Sequence, residues 1–139
     1  MTDTYGGLTA LPEILQSMSV LRRGRWVYAV LDPVPTEVEL LASIREAEGL
    51  TAIISADDAK LLGLDDRPVF ECLTLAVHSS LESVGLTAAV SRALADAGIS
   101  CNILAGFYHD HLLVPEDQAG DAVDVLASLT REAKTGVRD

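Results

Sequence analysis

Two short segments hold the residue types from which chemistry could be built. The first is the polar loop Ser79-Ser80-Leu81-Glu82-Ser83-Val84-Gly85, directly before an apolar-striped segment that starts near Leu86. Backbone N–H groups at a helix start have no partner inside the helix, and the positive end of its dipole lies behind them. Gly85 has no Cβ to hold a ligand off the main chain. Such a loop suits a carboxylate or a phosphate. It equally suits a plain structural start, in which Ser83 caps the helix and Gly85 allows the turn. The second segment is His109-Asp110-His111. Alternation along a strand puts both histidines on one face, which invites a metal or an acid and base reading. The only other histidine is His78, and its spacing is not diagnostic of a third ligand. Asp110 reads either as a turn residue or as a carboxylate facing a ligand's cationic group.

Other chemistries lack their signatures. There is no GxSxG, HExxH or SxxK run, no Walker loop and no GxGxxG. The remaining carboxylates are spread over turns and helix surfaces, as on a solvated face. Three function classes stay open on these residues. One is a non-catalytic binding module without cofactor or metal. Another is a metal-dependent or acid/base enzyme using His109-Asp110-His111. The third is a ligand-free dimeric assembly module.

The composition narrows the partners. The 139 residues suffice for one ordinary domain or two small units sharing a core. Half the residues are apolar (49%) and the mean hydropathy is +0.29, which excludes a disordered chain. Ten Lys and Arg stand against 21 Asp and Glu, a net charge of −11. That balance repels phosphate backbones and anionic lipid, so neither nucleic acid nor a membrane is an expected partner. The start Met1-Thr2-Asp3-Thr4-Tyr5 carries no signal-peptide features, and Cys72 and Cys101 lack a CxxC spacing. The expected setting is the cytoplasm, with both thiols reduced.

The elements that must position the two segments follow from periodicity. Apolar residues at 8, 11, 14, 15 and 18 predict a helix, with Pro12 in its first turn. Arg22, Arg23 and Arg25 around Gly24 predict a turn before a strand at Trp26–Leu31. Residues 37–48 fit a short helix or an irregular excursion. A strand at 50–54, a short helix at 56–62 ended by Gly63, and a strand at 69–77 come next. A helix at 86–97 stopped by Gly98, a hairpin of strands 100–108 and 111–114, and a helix at 117–132 complete the chain.

The halves repeat helix, strand, strand, helix, most visibly at the junctions Ile54-Ser55-Ala56-Asp57-Asp58-Ala59 and Val114-Pro115-Glu116-Asp117-Gln118-Ala119. With strand 69–77 leading, the second half is a split β-α-β-β-α unit, while the first half lacks a leading strand. Either strand 69–77 serves both units in one sheet, or an open edge pairs with another chain. A homodimer is expected on the second alternative.

The run Ser79 to Val90, followed by Ile99-Ser100-Cys101-Asn102 and by Tyr108 to Glu116, resembles the ACT-domain family of small bacterial proteins. Glu48-Gly49-Leu50-Thr51 fits the same family. The second half is similar to the C-terminal ACT module of the cytosolic arginine sensor of animal cells, where a glycine opens the helix and an Asp-His pair with Val-Pro-Glu follows a hairpin. The resemblance implies an α+β, ferredoxin-like fold of two tandem β-α-β-β-α units with antiparallel sheets and helices on one face. It implies a degenerate module at residues 1–64, an ACT module at 65–134 and a flexible tail at 135–139. It further implies a non-catalytic regulatory protein that binds an amino acid or similar small effector, forms a homodimer and acts on a regulated protein partner. Carried onto this chain, Gly85, Leu86 and Thr87 supply main-chain donors and Asp110 meets the ligand's positive group. Ser83, Val84 and Asn102 complete the implied ligand-binding set.

Overall fold

A computed structural model describes residues 1–136. The elements run α1 (Leu11–Ser17), β1 (Val20–Val30), β2 (Leu40–Glu46), β3 (Gly49–Ser55), α2 (Ala56–Leu61), β4 (Phe70–Leu75), α3 (Leu86–Asp96), β5 (Asn102–Ala105), β6 (Asp110–Pro115) and α4 (Ala119–Thr135). A single 3₁₀ turn, Glu116–Gln118, leads into α4. The strands form one antiparallel sheet in the order β2-β3-β1-β4-β6-β5.

That order reads as two three-strand units back to back. β1, β2 and β3 match β4, β5 and β6, and the antiparallel β1–β4 pair lies between them, so a pseudo-twofold axis passes through the sheet centre. Each unit's first strand serves as the other's fourth. The first half therefore does have a leading strand, β1. What it lacks is a helix between its first two strands, where Pro33 and Pro35 occupy a loop instead. Strand 69–77 serves both units, and both edges of β4 are paired, so the edge-based reason for a dimer does not hold for this strand.

Two segments differ from expectation. The basic run at Arg22–Arg25 does not end a strand. It is a bulge within β1, where Gly24 takes φ +87° and pairing with β4 resumes at Arg25 opposite Glu71. Arg22 makes hydrogen bonds of 2.5 and 3.0 Å to Glu71 across it. Residues 37–48 contain β2, since pairing with β3 satisfies backbone groups that an isolated segment would leave to water. Their apolar spacing at 38, 40, 41 and 44 fits either period, so long-range pairing chose the strand.

All helices lie on one face of the sheet. Alternation along β4 and β6 turns Leu73, Leu75, Leu112 and Val114 into a core with Ile14 of α1, Leu86, Val90 and Leu94 of α3, and Ala122 and Leu126 of α4. On the same face, α2 covers Val27, Ala52 and Ile54 through Ala59. The α2 start is capped by Ser55, whose Oγ accepts from the Asp58 N–H at 3.1 Å. Although α1 precedes β1, it packs on α3 and α4. Helix α4 runs through Thr135, and Gly136 terminates it with φ +74°. Of the expected tail, residues 137–139 lie outside the described residues. No helix among the described residues is long and apolar enough to cross a membrane.

Candidate functional site

Helix α3 begins at Gly85, which takes φ +103° as its N-cap, and no side chain caps the first turn. Ser83 belongs to the turn before the helix, where its backbone N–H donates to the Ser80 carbonyl at 3.0 Å. Ser80 Oγ in turn accepts from the Glu82 N–H at 3.1 Å. The helix start thus keeps its outward N–H groups free of side-chain caps, the arrangement that favours an anion.

Asp110, the first residue of β6, shares its face with Leu112 and Val114 and so turns toward the helices. Its side chain lines one crevice with Leu86, Thr87, Val90, Leu75, Ile103 and Leu112. The two predicted ends of a zwitterion site, the α3 start and Asp110, are therefore neighbours. The crevice is shallow, with no room for a water molecule. Ser79 Oγ donates to Asp110 Oδ2 at 3.4 Å. Burial pushes the Asp110 carboxyl above the usual aspartate range, against the opposing pull of Ser79 and of the nearby His111 and His109.

The loop before α3 is held by a segment that periodicity did not reveal. The first nine residues form a strap across the 78–80 loop. The Leu8 N–H donates to the His78 carbonyl at 2.7 Å, and the Ser80 N–H donates to the Leu8 carbonyl at 2.8 Å. A Cβ on Gly7 would lie 2.9 Å from the Ser80 nitrogen, so glycine is what lets the two chains meet. Behind the strap, Leu11 Cδ2 stands 2.9 Å from the place of a Cβ on Gly85. The open side of Gly85 is thus held by α1. The Gly6-Gly7 pair was the available sequence signal, and Leu8, expected to open the first helical stripe, lies in the strap instead because α1 starts only at Leu11.

The remaining predicted positions scatter. Ser83 is half-buried and Val84 is exposed. Asn102 pairs with Leu113 in the β5–β6 register and lies on the helix-free face, opposite Asp110. The His109-Asp110-His111 cluster also divides. His109 Nδ1 lies 3.2 Å from the Val77 carbonyl and donates to it, whereas His111 Nδ1 is 2.8 Å from Thr74 Oγ1. No group of three His, Cys, Asp or Glu side chains among the described residues could hold a metal ion.

Burial, then His109 and Arg23, hold the His111 imidazole below its ordinary value of 6.5, with Asp110 opposing. A histidine lowered in the folded state binds fewer protons there than in the unfolded chain. Its stabilisation is present above 6.5 and is lost as pH falls through 6.5 toward the folded value. The thermal midpoint is therefore expected to drop between about pH 7 and about pH 5. His111→Gln, which keeps a partner for Thr74, flattens that drop; an unchanged profile excludes His111 as its source.

Residues 6–72 and 69–128 each match a family model of the ACT domain. The two matches meet in β4, the strand that both units share. A solved Vibrio cholerae protein of unknown function, described as a possible transport protein, is 39% identical with a TM-score of 0.75, covering 86% of this chain and 95% of that one. An Agrobacterium tumefaciens protein is 20% identical, TM-score 0.63, covering 81% and 89%. The ligand-free regulatory subunit of aspartate kinase from Thermus thermophilus is similar in fold at 12% identity, TM-score 0.57, covering 79% and 95%. No curated protein matches the chain. Two tandem matches over one pseudo-symmetric sheet, with a 39% identical relative over nearly its whole length, place this chain in the ACT-domain family.

Proposed function

We propose that this protein is a non-catalytic regulatory module that binds an amino acid-like effector between the start of α3 and Asp110. The observation that carries the reading is that Leu86, Thr87 and Asp110, distant in sequence, line one crevice. The N–H groups of the α3 start would receive the ligand's carboxylate, and Asp110 a positive group. The crevice has no room for a water molecule, so binding selects a conformation in which the α3 start and β6 have moved apart. Occupancy is passed on through self-association or a regulated protein partner. A ligand can shift that partner's affinity only by its own preference between the two states, typically about 1–3 kcal/mol. The free thiols Cys72 and Cys101 fit a reducing compartment, which supports the cytoplasm as the setting.

Thermal shift and calorimetry across the proteinogenic amino acids test this reading. At least one amino acid is expected to raise the unfolding temperature of the wild type. Asp110→Asn keeps the side-chain shape and removes the charge, and it is expected to weaken that ligand by about tenfold, about 1.4 kcal/mol. A wild type that responds to none of them refutes the reading.

A further inference from the structure

We infer that the helix-free face of the sheet is the contact surface for a second copy of this chain. Register puts Leu21, Tyr28, Val30, Ile44, Phe70 and Leu104 on that face, over the buried Trp26, Ile53, Cys72 and Leu113. Among the described residues no helix packs there. Leu21, Val30 and Ile44 are 50%, 64% and 45% exposed, and Tyr28 meets Phe70 edge to face with ring centroids 5.5 Å apart. Apolar area of this extent, running from β2 to β5, is the mark of an interaction surface.

Charge selects the occupant. Among the described residues, the register gives this face one acidic side chain, Glu46 at its β2 edge. Arg23 in the β1 bulge acts on Cys72 and His111 of the same face. A chain of net charge −11 repels its own copy over most of its surface. Here two copies can meet while burying almost no like charge.

Size and symmetry fit as well. Six strands about 4.8 Å apart and about six residues long present a face of about 29 by 20 Å. Two copies stacked on it cover about 1,200 Å² even in flat projection, which reaches the lower bound of about 1,200 Å² for stable complexes. A twofold axis lying in the interface and parallel to β1 and β4 stacks two copies with their strands aligned. The inference does not depend on the crevice at Asp110.

Sedimentation equilibrium of the full chain is expected to give a dimer, twice 14.7 kDa. The double variant Val30→Asp, Ile44→Asp changes only exposed positions. It is expected to raise the dimer dissociation constant about a hundredfold or more while circular dichroism stays near wild type and the unfolding temperature loses its dependence on protein concentration. A second variant, Arg92→Glu, Ala93→Arg, disturbs the groove between α1, α3 and α4 and leaves the dimer intact. A monomeric wild type overturns the inference. So does a dimer that survives the sheet-face variant, or one that the helix-groove variant dissociates.

Discussion

Leu112→Ala is expected to lower the unfolding free energy by about 2 to 5 kcal/mol. Leu112 is fully buried on the helix face of β6, packed with Leu86, Val90 and Leu126. Removing its branched end leaves a void that the site cannot easily close. β6 is pinned by β4 on one side and β5 on the other, so the sheet cannot sink toward the helices. The void would open directly beneath the crevice that Asp110 lines. Urea unfolding followed by circular dichroism measures the loss, at one protein concentration so that self-association contributes equally. Leu61→Ala, at an exposed position of α2, serves as the control and is expected to stay within about 0.5 kcal/mol of wild type. A Leu112→Ala midpoint no lower than that control removes the helix-face core as the main source of stability.

Gly85→Ala is expected to cost about 2 to 4 kcal/mol, from backbone strain and overpacking together. A side chain at φ +103° is strained whatever space surrounds it, and the new Cβ would meet Leu11 Cδ2 at 2.9 Å. The two contributions separate in a double-mutant cycle with Leu11→Ala. Because Leu11 touches only with the end of a flexible side chain, shortening it is expected to recover about 1 kcal/mol, leaving the strain in place. Full recovery would mean that the backbone at residue 85 relaxes out of the left-handed region. No recovery would mean that Leu11 does not rest on Gly85. Loss of ligand response in Gly85→Ala alone reports this structural role as much as any ligand contact, which makes Asp110→Asn the cleaner probe of the crevice.

Much of this fold was legible before any coordinates. The stripe Leu86, Val90, Leu94 with Gly98 behind it marked α3, and Ala119, Ala122 and Leu126 marked α4, because a 3.6-residue period needs no tertiary information. The likeness of the Ile54–Ala59 and Val114–Ala119 junctions was also sound, since both lead from a strand matched across the pseudo-twofold into a helix. The basic segment Arg22–Arg25 was misread because a glycine with flanking arginines looks the same in a turn and in a bulge. Only the partner strand, with Glu71 set between Arg22 and Arg25, distinguishes them. β2 was missed because its spacing satisfied both periods. Nothing local recorded that β3 had a vacant edge to fill.

At the site the division is similar. The polar loop before α3 and the lone Asp110 stood out by residue type alone, and they prove to border the same crevice. Asn102 was grouped with them, yet one residue of strand alternation carries it to the other side of the sheet. The strap was invisible as a functional element, since Leu8 meets His78 and Ser80 across some seventy residues of chain.

By itself, the amino-acid sequence determined the periodic elements, the acidic surface, the two-unit repeat and the residue types of the crevice, because each is written in local spacing or composition. Tertiary structure alone decided that β1 and β4 complete each other's unit, that Leu11 of α1 rests against Gly85, and that the strap crosses the 78–80 loop. These outcomes depend on which distant segments find each other. Pairing of that kind is set by the free energy of the whole assembled sheet and core, to which no single stretch of residues holds the key.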